Sequence, residues 1–194
     1  MLKSNIEIQN TIIDIGISET VTMSVYLDKN TGYLSIKKYF NHDTGQLLPL
    51  LTLKISKEFN QPIILPDSIH NLVISGEFNQ PIILPVELIF LKICEEFNQP
   101  IILPDSLQIF ITIGKFNQPI ILPDFVFCLN INGKFNQPLI LTDRLRYFTI
   151  NGEFNQPLIL IDMLQYISIN GKYDQLIIIP NSIHVLKLHD EYNK

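Results

Sequence analysis

Apolar residues in this chain recur at fixed offsets within a unit of nineteen residues. With the Phe that opens each unit taken as position 0, position 10 is always apolar: Leu50, Ile69, Leu88, Leu107, Val126, Leu145, Leu164 and Ile183. Position 13 is apolar as well: Leu53, Leu72, Leu91, Phe110, Leu129, Phe148, Ile167 and Leu186. Position 15 follows the same rule except in one unit, where Thr112 stands. A separation of two is the strand period, so positions 13 and 15 point one way and positions 12, 14 and 16 the other. Position 14 reads Lys54, Val73, Lys92, Ile111, Asn130, Thr149, Ser168 and Lys187, the mixed chemistry that a solvent face tolerates. Each unit thus predicts one short strand at about positions 12–16, paired in parallel with the strand of the next unit.

The remainder of the unit must return the chain within about a dozen residues. Gly76, Gly114, Gly133, Gly152 and Gly171 occupy position 17, directly after the strand, where a turn with positive φ is easiest. Two prolines then bracket an apolar triplet, as in Pro62-Ile63-Ile64-Leu65-Pro66. Proline removes a ladder donor and fixes φ, so this segment is extended but cannot pair as a long strand. Too few residues are left for a helical crossover.

The units open with Phe-Asn-Gln-Pro at Phe59, Phe78, Phe97, Phe116, Phe135 and Phe154, with Tyr173 in step and no insertion between them. Stepping back reaches Phe40-Asn41, and stepping forward reaches Tyr192-Asn193. Self-similarity at about this period marks stacked supersecondary units that contact only their neighbours. The ring at position 0 suits an internal spine. The Asn at position 1, with donors and an acceptor together, suits a column that satisfies turn amides and carbonyls in adjacent coils. The expected fold is all-β: a parallel β-solenoid of eight 19-residue coils, starting at 40, 59, 78, 97, 116, 135, 154 and 173, with no regular helices. Residues 40–194 form the array. Residues 1–39 form an N-terminal hairpin and cap, with strands at 22–27 and 33–37 around a turn at 28–32 and a further strand at 12–15. Leu34 and Ile36 lie nineteen residues before Leu53 and Ile55, which carries this region into the array's register. The unit from Phe40 is degenerate, with Asp43, Thr44, Gly45 and Gln46 in place of the proline-bracketed triplet.

Phe-Asn-Gln-Pro-Ile/Leu, the following Leu-Pro-Asp-Ser (Leu65-Pro66-Asp67-Ser68, Leu103-Pro104-Asp105-Ser106) and the apolar positions 10, 13 and 15 resemble the FNIP-repeat family. Its units are similar to leucine-rich repeats and occur as long arrays in social amoebae and in large DNA viruses that infect amoebae. The family unit is usually about three residues longer, and the shortening here falls between Phe-Asn-Gln-Pro and Leu-Pro. The resemblance implies a leucine-rich-repeat-like solenoid that binds other proteins. Many members also carry a helical N-terminal F-box, which has no counterpart in the strand-like residues 5–38.

Composition narrows the partner. The chain has 194 residues, of which 46% are hydrophobic and 17% charged, which excludes disorder. A net charge of −5 and the absence of a basic patch argue against nucleic acid. No apolar run is long enough for a membrane span, and the N-terminus lacks the apolar stretch of a signal peptide. An intracellular, cytoplasmic protein is expected, in the host cytoplasm should the source be a virus. Cys94 and Cys128 are separated by a whole intervening unit, roughly two strand spacings, too far for a disulfide.

No cofactor motif, metal spacing or phosphate loop is present, and an enzyme is not expected. The favoured function is a non-enzymatic protein-binding scaffold that presents the outward face of its sheet, where positions 12, 14 and 16 supply Phe90, Cys94, Ile109, Ile111, Ile113, Cys128, Tyr147 and Tyr166. The alternative is a polysaccharide-acting or ion-binding solenoid that uses the position 8 column of Asp105, Asp124, Asp143 and Asp162, although Pro-Asp-Ser ordinarily makes a turn. A third row, Ile64, Ile83, Ile102, Ile121, Ile140, Ile159 and Ile178 at position 5, faces outward if positions 4 and 6 face inward. It is a candidate contact for a partner or for self-association.

Overall fold

The computed structural model describes residues 21–27, 34–41, 46–47, 52–55, 59–171 and 173–188. Eight strands form one parallel sheet, and no helix occurs among the described residues. In chain order the strands of the molecule are β1 (Val21–Leu27), β2 (Leu34–Asn41), β3 (Gln46–Leu47), β4 (Thr52–Ile55), β5 (Ile63–Ile64), β6 (Asn71–Ile74), β7 (Phe90–Ile93), β8 (Ile109–Thr112), β9 (Cys128–Gly133), β10 (Tyr147–Gly152), β11 (Tyr166–Gly171) and β12 (Val185–Leu188). The large sheet runs β12-β11-β10-β9-β8-β7-β6-β4, and each strand pairs with the residue nineteen away in its neighbour, as in Leu72↔Leu91 and Phe148↔Ile167. The chain makes about seven turns of a solenoid.

The core is built from the periodic positions. Leu72, Leu91, Phe110, Leu129, Phe148 and Ile167 at position 13 are buried, as are Ile69, Leu88, Leu107, Val126, Leu145 and Leu164 at position 10. Phe59, Phe78, Phe97, Phe116, Phe135, Phe154 and Tyr173 stack along the axis with centroids 5.9–6.3 Å apart and planes within 15° of parallel. Thr112 occupies the inward position 15 of its coil, fully buried, so the pattern there is not slipped and Ile109 and Ile111 stay on the outer face. Its Oγ1 has no hydrogen-bond partner.

Each coil turns twice in the same way. After the extended triplet, the position 10 N–H donates to the position 7 C=O, as in Leu107 to Pro104 (3.0 Å), which closes a four-residue turn around Asp105 and Ser106. At the end of the strand, position 17 has positive φ: 72° at Gly76, 105° at Gly114, 91° at Gly133, 116° at Gly152 and 110° at Gly171. Glu95 stands in this column with φ 57°, the only non-glycine with positive φ among the described residues. Space is as restrictive as φ. A Cβ on Gly133 would lie 2.3 Å from the backbone oxygen of Gly114.

The N-terminal end departs from the periodic reading. β2 does not enter the large sheet as the nineteen-residue step of Leu34 and Ile36 implies. It pairs antiparallel with β1 and β3, and at its start parallel with β5 through Leu34↔Ile63. Phe40 and Asn41, read as the opening of the first coil, lie inside β2 opposite Leu47 and Gln46. The unit that opens at Phe40 has no proline at the positions of Pro62 and Pro66 up to Leu47, so the backbone N–H groups of β2 and β3 are available for the antiparallel ladder. The strand expected at residues 12–15 and the phase at Tyr192-Asn193 lie outside the described residues. At the other end of the sheet, Leu186 and Leu188 occupy the inward positions of β12 yet remain 42% and 41% exposed.

Two stability outcomes follow from the turns and the core. Gly133→Ala should lower unfolding free energy by more than about 2 kcal/mol through backbone strain and clash, whereas Glu95→Gly should raise it by roughly 0.5–1 kcal/mol. Thr112→Val keeps the shape and removes a buried unpaired hydroxyl, and should stabilise by about 1–2 kcal/mol. Chemical denaturation of the three variants checks both.

Candidate functional site

Strand alternation sorts the side chains of the large sheet into core and surface, and the surface set forms rows along the solenoid. At position 12 the strand register aligns Phe90, Ile109, Cys128, Tyr147 and Tyr166 as consecutive Cα partners across β7 to β11. Tyr147 is 47% exposed, and the others are half-buried by their row neighbours. The Tyr147 and Tyr166 rings lie 6.4 Å apart, and the Lys187 ammonium sits 5.6 Å from the Tyr166 centroid. Ile111 is half-buried at position 14, while Cys94 and Ile113 lie at position 16 beside the strand ends. Beyond Ile113, position 16 turns polar with Asn132, Asn151 and Asn170. The eight residues therefore share one face, apolar along position 12 and at Ile111, Cys94 and Ile113, and polar at Lys54, Lys92, Asn130, Thr149, Ser168 and Lys187 of position 14 and at the position 16 asparagines.

Cys94 and Cys128 are both free thiols on this face. Burial pushes both thiol pKa values up; for Cys94 the Lys92 and Lys54 ammonium groups oppose that shift and the Glu95 carboxylate adds to it. Both are consequently protonated at neutral pH.

The polar column at position 1 lies at the turn into the back of each coil and is occupied by the protein itself. The Oδ1 of Asn79 accepts the Asn98 N–H at 2.9 Å and the Gln99 Nε2–H at 3.2 Å. The same pair of bonds repeats from Asn60 through Asn155, which receives Asp174 and Gln175. Each Asn oxygen thus satisfies one backbone and one side-chain donor of the following coil, and the amides of the ladder are directed along the stack.

The back of each coil presents a different surface. Positions 4 and 6 turn inward, with Ile82, Leu84, Leu103, Leu122, Leu139 and Leu141 buried. Between them Ile83, Ile102, Ile121, Ile140, Ile159 and Ile178 at position 5 are 82–90% exposed, and Ile64, on β5 beside β2, is about half exposed. The aspartates at position 8 stand beyond this row on the corner turn, each exposed. Among the described residues no three of His, Cys, Asp and Glu come together as metal ligands. Asp105 and Asp124 do border an open groove of about 690 Å³ with Ile102, Ile121 and Phe125. Phe125 stands at position 9, where Ser68, Ser106 and Ser182 stand in three other units, projects half exposed and is covered by the Arg144 guanidinium 4.2 Å from its ring. The reading of the sequence passed over this residue. Its signal was the loss of Ser from Pro-Asp-Ser in that unit.

No helix among the described residues is long and apolar enough to cross a membrane. The FNIP Repeat family model matches residues 59–95, within the two units that open at Phe59 and Phe78, which bears out the resemblance read from the Phe-Asn-Gln-Pro units. No curated protein and no solved structure matches the chain.

Because the raised thiol pKa values keep Cys94 and Cys128 neutral, their alkylation in the folded protein should accelerate further with pH above the ordinary thiol range, where a free cysteine has levelled off. The same shift contributes stability that is complete below the unfolded thiol pKa and is lost as pH rises through the folded value. Iodoacetamide rates and unfolding midpoints across alkaline pH measure the two effects.

Proposed function

We propose that this FNIP-repeat chain is a non-enzymatic scaffold that holds another protein against the outer face of its parallel sheet. The observation that carries this reading is the unbroken row of Phe90, Ile109, Cys128, Tyr147 and Tyr166, five large or soft apolar side chains in direct register on a face whose remaining positions are mostly polar. A row of apolar and aromatic side chains bordered by polar ones is the composition of an interaction hot spot. A rigid parallel sheet suits the role because the row is fixed by core packing on its other side, so little conformational freedom is lost on binding. The fit to a protein rather than a nucleic acid comes from charge: the chain carries 19 acidic against 14 basic side chains.

Phe90→Ala and Tyr147→Ala should each weaken a captured partner by about 1 kcal/mol or more and leave the melting temperature nearly unchanged. Titration calorimetry against a partner isolated from the source cell, with thermal melts of both variants, is the measurement. Normal binding by both variants, or unfolding of both, rules this face out.

A further inference from the structure

The back of the solenoid carries an apolar row that the folding of one chain leaves in water. Ile83, Ile102, Ile121, Ile140, Ile159 and Ile178 are each 82–90% exposed and stand in consecutive coils. The units supply their own control for what duplication alone would leave behind. Position 9, also at the surface, has diverged to Ser, Glu, Phe, Arg and Met, and position 14 to Lys, Val, Ile, Asn, Thr and Ser, while position 5 is Ile in seven units running. Preference of extended backbone for β-branched residues does not explain this. Position 14 lies in a hydrogen-bonded strand and still accepts Lys and Asn.

We propose that this row joins two copies of the chain back to back. On the transfer scale an isoleucine side chain presents roughly 100 Å² of apolar surface, so six present about 600 Å², beyond what single exposed residues on a monomer account for. The exposed Pro81, Pro100, Pro119, Pro138 and Pro157, two residues before five of these isoleucines, bring the stripe close to the ~800 Å² per partner of a stable interface. A row of identical knobs at a fixed pitch stays in step along its whole length only with another row of that pitch. A second copy of this chain has it by construction.

Charge selects the orientation. The exposed aspartates at position 8 flank the row on one side, and the neutral Gln residues at position 2 flank it on the other. A two-fold axis parallel to the solenoid sets each Asp column against the Gln column of its mate. A two-fold axis along the strands would set Asp against Asp, which like-charge repulsion disfavours. The mates therefore run in the same direction.

Sedimentation velocity of the full chain over a concentration series should show a reversible dimer. Ile102→Thr combined with Ile121→Thr, which keeps β-branching, should weaken it on the order of a hundredfold with an unchanged dichroism spectrum. A wild-type chain that stays monomeric to its solubility limit, or a dimer indifferent to the double substitution, overturns the proposal. If the double variant loses its spectrum, Ile140→Thr with Ile159→Thr provides the same reading. Orientation is read in a Cys94→Ser, Cys128→Ser background. Copies carrying Gln118→Cys should cross-link to copies carrying Asp124→Cys, whereas preferential Asp124→Cys self-linkage overturns the same-direction pairing. The substituted residues are remote from Phe90 and Tyr147, so loss of the dimer and loss of partner capture are separate results.

Discussion

Contact between the backbones of successive coils at position 17 is the constraint on which the rest of the structure depends. With a Cβ position on Gly133 only 2.3 Å from the Gly114 oxygen, the end of each strand is in van der Waals contact with the end of the one before. That contact sets the step between coils on the sheet side. The position 18 N–H then donates to the position 17 carbonyl of the preceding coil, as from Lys134 to Gly114 at 2.8 Å, so the turn is locked as well as close. The Phe stack and the Asn ladder repeat once per coil with it, the rings at 5.9–6.3 Å. A coil cannot shift alone without breaking all three columns.

This division of labour accounts for the conspicuous polar motif within the fold itself. Asn at position 1 and Gln at position 2 point along the stack, and the oxygen that a ligand could use already accepts two protein donors. Stacking consumes the side chains that look most like chemistry. The outer sheet and the back of the coil are the two faces that stacking does not use. Each is read as a row rather than as a pocket, because neighbouring coils place equivalent residues side by side.

Periodicity made the strand register and the core legible before any coordinates, since positions 10, 13 and 15 occupy the same environment in each turn. It failed where the letters recur but their context does not. Phe40-Asn41 matches the opening of a unit, yet without the flanking prolines it lies within β2. The strain at Glu95 became visible only once its neighbours in the column were seen to be glycines with positive φ. Phe125 and its Arg144 partner come from one-off substitutions at a turn, which an alignment of units averages away. The outward direction of Ile102 was legible conditionally, from the inward direction of its neighbours, whereas its nearly complete exposure is seen only in the folded array.

The open inward positions of β12 bear on how such an array responds to length. Leu186 and Leu188 leave apolar surface open beside the last described strand, the kind of cost that in any such array belongs to an end and not to one coil. Each interior coil adds a full interface with its neighbour, so the favourable terms grow with the number of units while the end term stays constant. Stability is then a straight line in repeat number with a negative intercept. Lengthening the array steepens nothing and strains nothing; it dilutes the two ends, and a short array sits closest to the point where the intercept wins.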